Sequence, residues 1–195
     1  PILEIEADVI SRYEALVRII DPAGDLIPPD EWIPNAEDLH LIEDVDKHVV
    51  TLSLAHWSQM ARAGGDAGIS INVSGQSINR EMAKFIVEMI SASGASPGKV
   101  TIEVTETALV GDTTDLECFL RIVRNAGARV AVDDYGSGNT SLRRIRTISF
   151  DTVKLDGSLI QEIATSESDQ MFATALTELF HSMGFDVVAE YVEDQ

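Results

Sequence analysis

The stretch VRNAGARVAVDD, residues 123–134, decides how the rest of the chain is read. A helical pattern stops at Asn125, Gly127 supplies the left-handed turn that ends a helix cheaply, and a β-branched run then closes on two adjacent carboxylates, Asp133 and Asp134. The same order recurs in ARAGGDAGISINV (61–73), ISASGASPGKVTIEV (90–104) and HSMGFDVVAE (181–190). The glycines recur at roughly 30 residues or a multiple of it, the size of one βα unit. Strands that alternate with helices imply an α/β fold with a mainly parallel sheet.

Working outward, strands are predicted near 2–6, 9–17, 69–73, 100–104, 129–133, 151–155 and 186–190. Thr114 and Glu117 have the spacing of a capping box that opens a helix through about Asn125, with Leu116, Phe119, Leu120 and Val123 inward. Met171, Phe172, Ala175, Leu176, Leu179 and Phe180 mark a second amphipathic helix, whose Met and Phe side chains are expected in the core. A (β/α) barrel takes eight strands and typically about 250 residues. With seven strands in 195 residues, either a closing strand lies outside the sequence or the sheet is open. No Ser/Gly-rich linker divides the chain, so 1–195 reads as one domain.

The hydrophobic content of 45% is that of a globular domain, and no apolar run reaches the roughly 18 residues that span a bilayer. The first residues lack the order of a signal peptide, which places the chain in the cytoplasm. The single cysteine, Cys118, excludes an internal disulfide and reads as a helix-face core residue. A formal charge of -19 disfavours a nucleic-acid polymer or an anionic membrane surface as partner. A small phosphorylated ligand remains compatible where clustered carboxylates collect divalent cations.

Buried parallel strands ordinarily read as unbroken Val/Ile/Leu, so polar residues of one parity need a reason. Val100, Ile102 and Val104 oppose Thr101 and Glu103; Ile69, Ile71 and Val73 oppose Ser70 and Asn72; Val130 and Val132 oppose Asp133; Val153 and Leu155 oppose Lys154 and Asp156. Arg12, Glu14, Leu16 and Arg18 share one face of the first long strand. Taken singly, each has a plain explanation: Asp133-Asp134-Tyr-Gly-Ser-Gly is the material of a polar turn, Glu14 or Glu103 that of a strand edge, Asn72 that of a strand cap and Lys154 that of an ion pair. Together with Glu190, however, they lie at strand ends that a parallel barrel gathers on one rim. So many carboxylates at one rim call for a cation, and hard oxygen donors suit Mg²⁺, Mn²⁺ or Ca²⁺. Asp133 beside Asp134 can bridge two ions, the equipment for attack of water on a phosphodiester. His40, His48, His56 and His181 lack zinc-site spacing.

The ordered series YEALVR, LIPPDEWIPNAED, INVS, IEVTET, VDDYGSGNTSL, DTVKLDGSLI and VAEYVE resembles the EAL-domain cyclic di-GMP phosphodiesterases, named for the tripeptide that stands here as Glu14-Ala15-Leu16. The resemblance implies a modified TIM-type barrel with an antiparallel first strand, two Mg²⁺ or Mn²⁺ ions, and hydrolysis of cyclic di-GMP to linear pGpG. By motif position, Glu14, Asn72, Glu103, Asp133, Asp134 and Glu190 would be metal ligands, and Asp156 a further acceptor near the second ion. Lys154 would orient or deprotonate the attacking water, and two nearby dications would favour its neutral amine. Arg18, with Glu14 and Asn72, would contact substrate; Glu106 would complete the catalytic apparatus by tethering the loop at about 135–142.

The chain departs from the family pattern at Asn139-Thr140, at Tyr191 where glycine is common, and at both ends, where a preceding glutamine and a closing strand with its Gln-Gly-Tyr segment fall outside the sequence. The family further implies a homodimer fused to sensory or GGDEF modules. Two other readings compete: a non-catalytic EAL module that senses cyclic di-GMP or docks a protein, and an unrelated barrel enzyme holding one Mg²⁺ on an enolate.

Overall fold

The computed structural model describes residues 1–110, 113–138, 142–161, 163 and 165–192. Among the described residues nine strands form, in chain order, as β1 (Ile2–Glu4), β2 (Val9–Ala15), β3 (Ile19–Ile20), β4 (Leu26–Ile27), β5 (Gly68–Asn72), β6 (Val100–Thr105), β7 (Arg129–Tyr135), β8 (Thr152–Leu155) and β9 (Asp186–Ala189). Seven make one sheet, ordered β1-β2-β5-β6-β7-β8-β9. β1 runs antiparallel to β2, and every later pairing in this sheet is parallel. The result is a nearly closed barrel with an antiparallel first strand, as the sequence resemblance implies.

Among the described residues six α-helices connect the strands: α1 (Pro29–Asp38), α2 (Ile42–Arg62), α3 (Arg80–Ser93), α4 (Thr114–Asn125), α5 (Leu142–Thr147) and α6 (Glu167–Ser182). Their inner faces and the outward faces of the strands share one core, in which Val100, Ile102, Val104, Val130, Val132 and Val153 are fully buried against Leu54, Ile86, Phe119 and Phe180. This is the strand parity read from the sequence. Tyr135 meets the Phe180 ring edge-on with centroids 5.1 Å apart, which ties the end of β7 to α6.

Three local expectations are corrected. The residue at the cap of α4 is Thr113, which makes no side-chain cap to the backbone and instead donates its hydroxyl to Glu117 at 3.1 Å, so Thr114 is the first helical residue and the Thr114/Glu117 spacing is not a capping box. On α6 the buried side chains are Ala173, Leu176 and Phe180, while Met171 and Phe172 are exposed. Only one turn-spaced row of that helix meets the sheet, and both residues sit beside it. The hairpin of β3 and β4 and the helix α1, which carries Pro34 inside it, were not foreseen. Two-residue strands have no periodicity to read, and an internal proline reads as a break.

Candidate active site

Parallel strands deliver their carboxyl-terminal side chains to a common rim. β2 brings Glu14, β5 Asn72, β6 Glu103, β7 Asp133 and Asp134, β8 Lys154, and the residue after β9 is Glu190. Lys154, almost wholly buried, is the hub. Its Nζ donates to Glu103 Oε2 at 2.9 Å and Glu14 Oε2 at 3.3 Å, and pairs with Asp133 Oδ1 at 2.9 Å and Glu190 Oε1 at 2.8 Å. Asn72 donates its side-chain amide to Glu14 Oε1 at 2.8 Å and faces Glu103 in the β5–β6 register.

Consecutive strand residues point to opposite faces, yet Asp133 and Asp134 both serve the rim. Asp134 has φ 55°, a left-handed conformation that Asp tolerates better than most residues, and its amide donates to Asp133 Oδ1 at 3.0 Å. Carboxylate oxygens gather in two groups, Glu14 with Glu103 and Asp133, and Asp133 with Asp134 and Glu190, each group with its oxygens within 4.8 Å of one another. Asp133 belongs to both. Hard, anionic oxygen donors in two adjoining groups with one shared member fit a pair of divalent cations.

The electrostatics are those of crowded, partly buried carboxylates around one ammonium. Burial, then the charges of Asp133 and Glu14, raise the Glu103 carboxyl despite Lys154. Burial, then Asp133 and Asp156, raise Asp134. Glu190 is pushed up to about 7, chiefly by burial, with the Lys154 hydrogen bond opposing and Asp133 adding to the rise. Burial works against a charged Lys154, but Glu103, Asp133 and Glu14 outweigh it and hold the ammonium well above its ordinary value. The neutral amine expected beside two dications therefore needs those cations in place, because the carboxylates alone favour the charged form.

The remaining sequence-nominated residues lie around this centre. Glu106, buried in the turn after β6, accepts from the Gly136 amide at 2.8 Å, and a Cβ on Gly138 would come within 3.1 Å of its Oε1. It thus grips the part of the 135–142 loop that is described; Asn139 and Thr140 lie outside the described residues. Arg18 is exposed, its guanidinium rests on the Val17 carbonyl, and it lines the same cleft as Asn72, Asp133 and Asp134. Asp156 stands apart from both carboxylate groups: it caps the turn Gly157–Leu159 by accepting from the Ser158 amide at 2.9 Å, while its charge is felt at Asp134. Tyr191 adopts φ 54° and lies over Gly157, where a Cβ would stand 2.5 Å from the ring.

The cleft has a volume of about 660 Å³ and extends from the carboxylates past Arg18 to Trp32, Ile42 and Asp46. Sequence reading passed over Trp32 and Asp46. A lone aromatic in a proline-bounded segment and a lone acid on a helix gave no spacing by which to find them. Asp46, nearly buried on α2, accepts from the Ser74 amide at 3.0 Å and is raised to about 6, chiefly by burial.

Comparison with known proteins accords with this geometry. The chain is 32% identical over 185 residues to the cyclic di-GMP phosphodiesterase PdeB of Shewanella oneidensis, covering 94% of this chain and 22% of that protein. The curated relatives it matches are longer, and it spans less than a third of their length in the leading cases (32% and 22%). The fold matches the EAL enzyme Bd1971 in a form with cAMP and cyclic di-GMP bound, with TM-score 0.91 at 20% identity over 100% of this chain and 54% of the other. It also matches the FimX EAL domain of Pseudomonas aeruginosa bound to cyclic di-GMP, with TM-score 0.90 at 17% identity over 100% of this chain and 78% of the other. The EAL domain model covers residues 1–195, and the chain therefore belongs to the EAL domain family, as its motifs indicated.

Proposed function

We propose that this domain hydrolyses cyclic di-GMP to linear pGpG. The observation that carries the reading is the meeting of Lys154 with Glu14, Glu103, Asp133 and Glu190 beside Asp134, at the mouth of a cleft large enough for a dinucleotide. Glu14, Asn72, Glu103, Asp133, Asp134 and Glu190 would hold two Mg²⁺ or Mn²⁺ ions. These ions, when bound, supply Lewis acidity and neutralise phosphodiester charge.

The chain's own residues do the rest. Arg18, on the cleft wall, takes a phosphate oxygen through its guanidinium fork. Lys154 Nζ, fixed by four carboxylates, orients the attacking water and accepts its proton as the amine. Water oxygen bonds to phosphorus, one phosphorus–ribose oxygen bond breaks, and the product carries a phosphomonoester at one end and a hydroxyl at the other. Asn72 holds Glu14 in register, and Glu106 fixes the loop at Gly136. Asp156 acts through its charge on Asp134.

The domain would act as a homodimer within a longer cytoplasmic signalling protein carrying sensory or GGDEF modules. Among the described residues no helix is long and apolar enough to cross a membrane. The test is an assay of the full-length protein with Mg²⁺ or Mn²⁺. Formation of pGpG that is abolished by Glu103→Gln supports hydrolysis, and tight binding of cyclic di-GMP without turnover overturns it in favour of a sensor.

A further inference from the structure

Below the carboxylate rim, the inward-facing side chains change sign. One inward step before Glu14 on β2 stands Arg12; one step before Glu103 on β6 stands Thr101; one step before Lys154 on β8 stands Thr152; two steps before Asp133 on β7 stands Arg129; two steps before Glu190 stands Asp186, which opens β9. These residues lie toward the amino-terminal mouth of the barrel. Arg12 reaches across Gly68 to donate to the Thr101 hydroxyl. Thr101 is the register partner of Arg129, whose charge is felt at Arg12, so the two arginines lie on neighbouring parts of this layer. Arg129 donates to the Thr152 hydroxyl at 3.3 Å and pairs with Asp186.

The arrangement keeps two guanidinium groups close together, with Arg129 alone of the two in a direct ion pair among the described residues. A Cβ at Gly68 would lie 3.2 Å from Arg12 Nη1, so the missing side chain is what leaves the guanidinium its place. Asp186 is the carboxylate that pairs directly with this level, through Arg129, while the charges of Glu103 above and of Asp186 both reach Arg12, in a chain of net charge -19. Burial, then the charge of Arg129, hold the Arg12 guanidinium below its ordinary value, as expected of two like charges near each other. Ser70, the other register neighbour of Thr101, is fully buried, and its hydroxyl has no hydrogen-bond partner among the described residues. The inward layer at this level thus keeps unused donors.

We propose that Arg12, Arg129, Thr101 and Thr152 form a binding site for an oxyanion of the phosphate class at the mouth of the barrel opposite the carboxylate rim. Guanidinium forks match tetrahedral oxyanions through paired N–H donors, and the threonine hydroxyls that now accept from them stand at the same place. The anion is either free phosphate or the phosphoryl group of a nucleotide. The proposal does not rest on the proposed hydrolysis: none of its four residues belongs to the carboxylate groups, although the charge of Glu103 reaches Arg12.

The experiment is calorimetric titration of the metal-free full-length protein with inorganic phosphate, and separately with adenosine 5′-monophosphate, at constant ionic strength set by chloride. Saturable phosphate binding that weakens at least tenfold in Arg12→Met and in Arg129→Met is expected. Tighter binding of the nucleotide that is likewise weakened in Arg12→Met and Arg129→Met would identify a nucleotide phosphoryl group as the source, and nucleotide binding equal to or weaker than that of phosphate, or indifferent to these variants, would identify the free anion. Thr152→Val keeps both charges, is expected to weaken phosphate binding several-fold, and serves where an arginine variant fails to fold. Phosphate binding no stronger than chloride, or unchanged in these variants, overturns the proposal.

Discussion

Lys154 Nζ lies 2.9 Å from Glu103 Oε2, and both side chains are only 2% exposed. A charge pair so withdrawn from water is costly to form and costlier to break, because removing one member leaves the other buried without a partner. Here the lysine serves three further carboxylates. Lys154→Met is therefore expected to destabilise the chelator-treated protein by about 3–5 kcal/mol, and added Mn²⁺ should recover much of that loss. Urea denaturation with and without the metal measures both. Hydrolysis should fall by about 10²-fold or more whether or not the metal is added.

Glu106 holds the Gly136 amide from a buried position. Removing this grip by Glu106→Ala should lower affinity for Mn²⁺ and cyclic di-GMP, while stability falls by only about 1–3 kcal/mol for the lost hydrogen bonding. Glu106→Gln, which still offers an oxygen to Gly136, should recover part of the affinity. Equal behaviour of the two variants in Mn²⁺ titration would argue against the tether.

Asp46, on the wall of the cleft, is raised chiefly by burial, with the charges of Glu37 and Glu43 adding and hydrogen bonds from Ser77 and Ser74 opposing, to a folded value of about 6 against 3.8 ordinarily. Because the folded form holds its proton more tightly, the stabilisation is full below about pH 3.8 and is lost as pH rises through 6. Asp46→Asn still offers an oxygen to the Ser74 amide but has no charge to bury. Its stability relative to the parent should therefore rise by about 2–3 kcal/mol between pH 4 and pH 7, as read by urea denaturation at both values.

Gly157 lies under the Tyr191 ring, and a Cβ there would meet Tyr191 Cβ at 2.9 Å as well as the ring itself. The tyrosine cannot swing away cheaply, since its own Cβ is involved and its backbone is left-handed. Gly157→Ala should cost about 1–3 kcal/mol and displace Glu190, the adjacent residue. A parallel loss of Mn²⁺ affinity in titration checks the link.

The sequence showed most of the barrel because its signals were local and repeated. Helix-ending Gly94, Gly127 and Gly184 all take positive φ, and β-branched runs follow each of them. The rim was legible for a related reason: Glu103, Asp133 and Lys154 interrupt apolar strands at one parity, and a buried charge in a strand is rarely idle. What stayed hidden depends on long-range packing. That Met171 and Phe172 face solvent while Phe180 is buried is decided by where α6 meets the sheet, which a 3.6-residue stripe cannot specify beyond a broad face. Arg12 reaching Thr101 across Gly68 is a contact between three strands, and no spacing along the chain announces it.

The left-handed turn at Asp134 has a consequence for how the rim could be damaged or evolve. A straight strand would send one of the two neighbouring acids outward among the helices, so the number of ligands at the rim is set by a single dihedral as well as by composition. Charge and geometry can be lost separately at this position: asparagine keeps the bend and discards the charge, whereas a β-branched residue removes both. Drift toward a module that holds nucleotide without cutting it could thus begin with a straightened backbone while the remaining acids stay in place.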